Sequence, residues 1–217
     1  MQTTFSRLKI ISAAALLLAA SAAHADITVF TSQSAYLAAA GSTGVDTFDD
    51  LPIDALDSPL SRNAGNYSYT VSSVGASPIL YGAGTGSDNW LSTNSRDDSV
   101  LFSNFSSDVR GVGGFFFGSN VQGGYAAAQS VTLTARNALG ELLTYELALP
   151  TQGSFIGFLS TGAFSDLAVS TAGQVGIWPT INDFSVSAVP EPATYGMLLG
   201  GLGLLGFMTR RRRASQH

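Results

Sequence analysis

Histidine, cysteine and lysine, the side chains behind most nucleophilic and metal-assisted chemistry, are nearly missing from this chain. Its 217 residues include no cysteine, two histidines, His24 and His217, and a single lysine, Lys9. Residues 26–189 therefore contain none of the three types. This segment has no means of building a Ser-His-Asp or Cys-His nucleophile, a Schiff base, a P-loop or an ordinary zinc site.

Carboxylates are the remaining groups with catalytic potential. A glycosidase needs two of them, about 5 to 10 Å apart. Glu141 and Glu146 stand five positions apart in one apparent strand region. An odd separation places two residues on opposite faces of a regular strand. We therefore expect no catalytic residue and no enzymatic activity. The alternative is a glycan hydrolase that works with carboxylates alone.

Acidic residues dominate the middle of the chain. Residues 26–189 contain 14 acidic and four basic side chains, although the formal net charge of the whole chain is only −5. A surface with this balance repels nucleic acid and other polyanions and favours cations. We expect no nucleic-acid partner.

Oxygen-bearing side chains occur near the ends of the first and last long strands that we predict. In carbohydrate-binding jelly rolls, acids on these two strands often hold a structural calcium ion, because the terminal strands pair side by side. Ca²⁺ takes about six to eight oxygen ligands. The candidate ligands are Asp49, Asp50, Asn182 and Asp183. The alternative role for all four is turn formation, and no cofactor other than calcium is expected.

Aromatic side chains form a second candidate site. Trp90 and Trp178 are the predicted stacking residues for a sugar ring, with Asn and Asp side chains bonding its hydroxyl groups. The tyrosines that extend this set are Tyr67, Tyr69, Tyr81 and Tyr125. The alternative is that both tryptophans complete the hydrophobic core or cover its rim.

Short strands separated by Gly, Asn, Asp, Ser and Pro must position these side chains. Ser32 is the predicted N-cap of one short helix that Gly41 ends, and Gly82-x-Gly84-x-Gly86 is a predicted flexible turn. The pattern predicts an all-β fold, an antiparallel β-sandwich that is jelly-roll-like. The predicted strands cover residues 27–30, 45–49, 67–74, 99–105, 111–118, 129–136, 142–149, 155–159, 167–170 and 180–187.

The first 25 residues have the pattern of a cleavable secretory signal peptide. Arg7 and Lys9 precede an apolar run at residues 10–20, and Ala23 and Ala25 form an A-x-A cleavage site. Signal peptidase is then a partner, and cleavage is expected before Asp26. The alternative is an uncleaved membrane anchor. A span needs about 20 apolar residues, and the run at residues 10–20 is shorter than that.

The last 29 residues combine three features in order. Pro190, Glu191 and Pro192 are followed by an uncharged, glycine-rich stretch at about 193–209, predicted to be a single transmembrane helix. A cationic cluster then forms the predicted cytoplasmic tail: Arg210, Arg211, Arg212 and Arg213. With the arginines inside, residues 26–188 lie outside the cytoplasm. An ordinary C-terminal anchor is the alternative.

This order of features at residues 189–217 resembles the PEP-CTERM sorting signal of exported bacterial proteins. The resemblance implies that an exosortase, a membrane protease-transpeptidase, processes the chain at its Pro-Glu-Pro motif. By the same resemblance, the four arginines are the stop-transfer cluster. Tails that resemble this one are sometimes labelled an ice-binding-protein C-terminal domain, a name that says nothing of the activity of the preceding segment.

The middle of the chain resembles the β-sandwich common among PEP-CTERM proteins. The matching features include Phe48-Asp49-Asp50, the Gly-Phe-Phe-Phe-Gly run at 114–118 and a closing Ile181-Asn182-Asp183-Phe184. The closing strand of that family more often begins Ile-Asp-Asp or Ile-Asp-Asn, so Asn182 is a departure.

Together these features predict three segments: a signal peptide at 1–25, an extracellular β-sandwich at 26–188 and a sorting signal at 189–217. The expected protein is non-catalytic, with a structural or polysaccharide-associated role. We expect transient anchoring in the inner membrane of a Gram-negative bacterium. The final location is then the cell surface or the extracellular biofilm matrix.

Overall fold

The structure, a computed structural model, describes residues 26–188 and Leu202. Within residues 26–188 the chain forms one short helix and otherwise strands. The elements are β1 (Ile27–Phe30), α1 (Gln33–Ala39), β2 (Ser42–Asp46), β3 (Ala55–Asp57), β4 (Leu60–Ala64), β5 (Tyr67–Val74), β6 (Ile79–Gly84), β7 (Asn89–Thr93), β8 (Ser99–Ser103), β9 (Gly111–Ser119), β10 (Tyr125–Ala126), β11 (Ser130–Asn137), β12 (Leu142–Ala148), β13 (Phe155–Ser160), β14 (Phe164–Ser170) and β15 (Trp178–Ala188).

The strands pair in two antiparallel sheets. The nine-stranded sheet has the order β1-β13-β9-β15-β7-β6-β3, with β10 beside β9 and β2 beside β15. The six-stranded sheet has the order β12-β11-β14-β8-β5-β4. The prediction of an antiparallel β-protein with one short N-terminal helix is confirmed.

From β7 onward the chain follows the strand order of a jelly roll. β7, β9, β13 and β15 belong to the larger sheet, and β8, β11, β12 and β14 belong to the smaller one. β15 lies between β7 and β9, while β14 lies between β8 and β11. The last strands are thus inserted beside the first strands of the series, as in a double-sheet jelly roll. The earlier strands and β10 extend both sheets.

An aromatic core joins the two sheets. Phe184 of β15 stacks on Phe102 of β8, with the ring centroids 4.0 Å apart. Tyr69 of β5 packs against Phe184 at 5.2 Å. All three rings are buried. Because they come from both sheets, their burial stabilises the packing of one sheet on the other.

Helix α1 is attached to the larger sheet by one side chain. Tyr36 is fully buried, and its hydroxyl shares a hydrogen bond of 2.8 Å with the Ser187 hydroxyl. A Cβ atom at Gly157 would lie 2.4 Å from the Tyr36 ring. Glycine in β13 is therefore what lets the ring approach the sheet so closely. The helix begins after Ser32 as predicted and ends at Ala39, just before Gly41.

Two local predictions are wrong, and both errors have a backbone cause. Gly82 and Gly84 lie in β6 and not in a flexible turn. A Cβ at Gly82 would lie 2.0 Å from the Pro52 carbonyl oxygen, so this glycine permits a close backbone contact. The strand predicted at 45–49 ends at Asp46, because Phe48 has a left-handed backbone with φ of 61°.

The terminal segments belong almost entirely to the part of the chain that is not described. The predicted signal peptide at 1–25 lies outside the described residues, as does the predicted membrane helix at 193–209 except for Leu202. Among the described residues, no helix has the length and apolar character needed to cross a membrane.

Candidate functional site

A small pocket opens on the outer face of the nine-stranded sheet. Its volume is about 90 Å³, and Tyr81 of β6, Ser92 of β7 and Trp178 of β15 line it. Side chains alternate along these strands, so Leu91 and Ile181 enter the core while their neighbours point to the other face. The remaining lining includes Asn94, Ser119, Asn120, Val121 and Gly123.

Strand register brings these side chains together. Tyr81 pairs with Ser92 across β6 and β7, and Ser92 pairs with Thr180 across β7 and β15. Trp178 lies two residues before Thr180, on the same face, and pairs with Ser119 of β9. The pocket thus has an aromatic ring on each side of a row of hydroxyl groups.

Trp178 is half-buried at the mouth of the pocket. Its indole N–H donates to the Asn94 carbonyl oxygen at 3.3 Å, which fixes the orientation of the ring. This placement is compatible with the predicted stacking role of Trp178. Tyr81, one of the additional tyrosines, is also half-buried and faces the same pocket.

Trp90 has a different role from the one predicted. Its side chain is only 1% exposed, so no face of the indole is open to a ligand. It packs edge-on against Phe117, with ring centroids 5.4 Å apart, and donates its N–H to the Gly123 carbonyl at 3.0 Å. The prediction that Trp90 stacks on a sugar is wrong, because this residue forms a second small core beneath the pocket.

The polar groups of the pocket divide into those already used and those open to a ligand. Ser92 donates to the Pro179 carbonyl at 2.9 Å. The Asn120 side-chain oxygen accepts from the Gln122 and Gly124 amides at 3.0 and 3.1 Å. Within the described part of the chain, three groups have no hydrogen-bond partner: the Tyr81 hydroxyl, the Asn120 Nδ2 and the Asn94 side chain. They are available to bond the hydroxyl groups of a bound molecule.

Three of the four predicted calcium ligands, Asp49, Asn182 and Asp183, lie in one region, and Asp50 does not belong to it. Asn182 donates from Nδ2 to Asp88 Oδ1 at 2.9 Å. Asp49 Oδ1 accepts from the Asn89 amide at 3.0 Å. Burial, with smaller contributions from the charges of Asp88 and Asp49, raises the pKa of Asp183. These residues form one acidic region, to which Asp88 is an addition that the sequence did not indicate.

Asp50 does not join that acidic region, because its carboxylate forms an ion pair with Arg62. Arg62 binds it through two hydrogen bonds, of 2.7 and 2.6 Å. Across residues 26–188 and Leu202, no three His, Cys, Asp or Glu side chains are arranged to hold a metal ion. Asp50 is thus engaged elsewhere, and calcium binding by the other three residues stays a prediction.

Arg62 is the centre of a charged cluster that the sequence did not predict. Its guanidinium also forks onto Asp46, with bonds of 2.9 Å from Nε and 2.6 Å from Nη2. The Tyr69 hydroxyl donates to Asp46 Oδ2 at 2.7 Å. The hydrogen bonds to Asp50 and Asp46 raise the pKa of Arg62, and those from Arg62 lower the pKa of Asp50. This arrangement fixes β2 and β4 together and leaves no free acid or base.

The two glutamates considered for glycoside hydrolysis have different surroundings in the structure. Glu141 stands in the turn before β12 and accepts a hydrogen bond from Asn137 Nδ2 at 3.1 Å. Glu146 lies on the solvent-exposed face of β12. Neither residue lines the pocket on the larger sheet.

A family model matches the segment that follows the sandwich. Residues 188–213 match the family model described as the PEP-CTERM protein-sorting motif. The chain carries a PEP-CTERM sorting motif. The match includes the predicted Pro190, Glu191 and Pro192 and all of Arg210 to Arg213. Comparison with curated proteins and with solved structures gave no match.

The PEP-CTERM motif implies an exported protein that an exosortase processes, with membrane-anchored sorting in Gram-negative bacteria. Its first residue, Ala188, is the last residue of β15. The sorting motif therefore follows the folded domain directly. The structure of the motif beyond Ala188, like that of Ala23 and Ala25 at the predicted signal-peptide cleavage site, lies outside the described residues except for Leu202.

Proposed function

We propose that this chain is an exported, non-catalytic matrix protein whose sandwich binds a neutral extracellular polysaccharide at the pocket between Tyr81 and Trp178. The observation that carries the proposal is the pair of half-buried aromatic rings on either side of unpartnered polar groups. An aromatic face covers the apolar face of a sugar ring, and side-chain amides bond its hydroxyl groups.

The size of the pocket supports contact with a polymer and not with an enclosed small molecule. Sites that enclose a drug-sized ligand have volumes of about 300 to 1,000 Å³, whereas this pocket has about 90 Å³. It accepts part of one sugar ring and leaves the neighbouring units of a chain exposed to solvent. A polysaccharide fits that geometry.

Charge supports a neutral polymer. The acidic excess of residues 26–188 repels anionic polysaccharides. The absence of histidine, lysine and cysteine from the same residues supports binding without catalysis. The alternative, a carboxylate-only glycan hydrolase, predicts that the protein shortens the polymer it binds.

Retention of the polysaccharide isolated from the producing cells tests the proposal. We expect Trp178→Ala to weaken retention about fivefold, because one stacked ring contributes about 1 kcal/mol, and to leave the melting temperature nearly unchanged. Phe30→Ala is the matched control, since Phe30 is a half-buried aromatic residue at the far edge of the same sheet. Equal retention by wild type and Trp178→Ala would contradict the proposed site, and release of reducing sugar would favour the hydrolase.

Sorting has a test of its own. We propose that the chain is anchored transiently in the inner membrane and is then released to the cell surface or matrix. The intact mass of the protein recovered from the envelope and from the medium is the measurement. We expect a chain that begins at Asp26 and ends near Pro190. A recovered mass that still includes Arg210 to Arg213 would contradict processing.

A further inference from the structure

The longest free edge among the described strands is β12. It is the outermost strand of the six-stranded sheet and has seven residues, Leu142–Ala148. The other outer strands are shorter: β1 has four residues, β3 has three and β4 has five. Edge strands usually avoid further pairing through lysine, proline or a bulge. β12 contains no lysine or proline, and its register with β11 is uninterrupted.

The hydrogen-bonding groups of β12 alternate in direction. Asn137 N donates to Glu141 O, and Leu149 N donates to Gln129 O, in the ladder with β11. Odd-numbered residues of β12 therefore bond to β11, since antiparallel pairs alternate along a strand. The amides and carbonyls of the even-numbered residues point away from the sheet: Leu142, Thr144, Glu146 and Ala148. All four residues are exposed.

The sequence of β12 is complementary to itself in the antiparallel direction. A two-fold axis at Tyr145 places Thr144 opposite Glu146 of the partner subunit and Leu142 opposite Ala148 of the partner subunit. Every one of these pairs joins two outward-facing residues, which gives about eight hydrogen bonds between the copies. Glu146, the one charged residue of β12, lies directly opposite a threonine, so the two Glu146 carboxylates of the dimer are diagonal neighbours and are not directly opposed.

Side chains on the core face of β12 fit the same axis. Leu143, Tyr145 and Leu147 are half-buried and pack against the core. In this register Leu143 lies beside Leu147 of the partner subunit, and the two Tyr145 rings meet. Leu142 and Leu149 are 52% and 77% exposed at opposite ends of the strand. In the paired strands, Leu142 of one copy lies near the end of the partner strand at which Leu149 of the partner subunit stands.

We propose that β12 pairs with β12 of a second copy of this chain, which joins the two six-stranded sheets into one continuous sheet. The interface is isologous, because the same strand contributes from both copies. The inference does not depend on the proposed polysaccharide site, which lies on the other sheet.

A cysteine-free chain allows the register to be tested in the exported protein as the cells make it. In Thr144→Cys, the two thiols of a dimer are diagonal neighbours, with Cβ atoms about 7–8 Å apart. We expect a short thiol-specific cross-linker to give a covalent dimer. Ser61→Cys, on the exposed face of the edge strand β4, is the control and should stay monomeric. A Thr144→Cys protein that does not cross-link would overturn the inference.

Thr144→Pro tests the pairing independently. The Thr144 amide has no partner in the sheet, so proline there leaves the ladder with β11 intact. We expect light scattering to give a dimer for wild type and for Thr144→Val, and at least a tenfold weaker dimer for Thr144→Pro with a similar melting temperature. A monomeric wild type at about 100 μM, or a Thr144→Pro dimer of wild-type affinity, would overturn the proposal. If Thr144→Pro fails to fold, the cross-linking result decides.

Discussion

Arg62→Ala is expected to lower the free energy of unfolding by about 3–5 kcal/mol, because it leaves a buried carboxylate without its counter-charge. The side chains of Arg62 and Asp46 are 13% and 4% exposed. Without the guanidinium, Asp46 keeps one hydrogen bond from the Tyr69 hydroxyl and one from the Phe48 amide. These two neutral donors do not replace a bidentate ion pair.

Thermal unfolding followed by circular dichroism measures this effect. For a domain of this size, we expect the melting temperature of Arg62→Ala to fall by about 10 °C. Arg136→Ala is the matched control, because Arg136 lies 3.7 Å from Asp166 and both side chains are more exposed, at 50% and 24%. Exposed pairs contribute about 0–1 kcal/mol. An equal fall in melting temperature in the two variants would contradict the prediction that the buried cluster stabilises the fold more than an exposed ion pair does.

The same cluster gives the stability a defined pH dependence. Hydrogen bonds from Arg62 lower the pKa of Asp50 below its usual 3.8. A lowered pKa stabilises the fold above the pKa of the unfolded chain, and this contribution disappears as the pH falls through the folded-state pKa. Asp183 acts in the opposite direction, since its pKa is raised and protonation favours the folded state. We expect Arg62→Ala to remove the contribution of Asp50 and so to reduce the loss of stability below about pH 3.8.

Local pattern was enough to predict those strands whose side chains alternate between core and solvent. The predicted bounds of β1 and β5 agree with the structure at both ends, because in β5 Tyr67, Tyr69 and Val71 enter the core from every second position. β6 and β7 were missed. Every residue of β7 is buried, and β6 contains two glycines. In neither strand, therefore, do apolar and polar residues alternate along the sequence with a period of two.

Long-range pairing explains what the sequence could not indicate about the candidate site. Trp178 was a predicted ligand residue, yet its partner Tyr81 comes from a strand that was not predicted. Asp46 and Arg62 are 16 residues apart and belong to strands of different sheets, so nothing in their local sequence specifies that the packing of β2 on β4 places one beside the other. The sorting motif was predicted from the sequence alone, since its signal is a linear order of residue types and needs no fold.

Trp90→Ala is expected to destabilise the domain by about 3–5 kcal/mol, the usual cost of removing a fully buried aromatic ring. The indole fills the space between Ala83 and Phe117 on the outer side of the larger sheet. Trp178→Ala, in contrast, removes a half-buried ring at the pocket mouth. The two variants should therefore differ in which property they lose. Trp90→Ala should lower the melting temperature, and Trp178→Ala should lower polysaccharide retention.

Trp90→Phe separates the two contributions of the buried indole. Phenylalanine keeps most of the ring but loses the N–H that donates to Gly123, at a cost of about 1 kcal/mol. Gly123 belongs to the turn that also holds Asn120 in the pocket wall. We expect Trp90→Phe to stay folded while polysaccharide retention falls, because the turn is released from the sheet. Wild-type retention by Trp90→Phe would show that the turn keeps its shape without this hydrogen bond. For Trp90→Ala, an unchanged melting temperature would contradict a stabilising role of the buried indole.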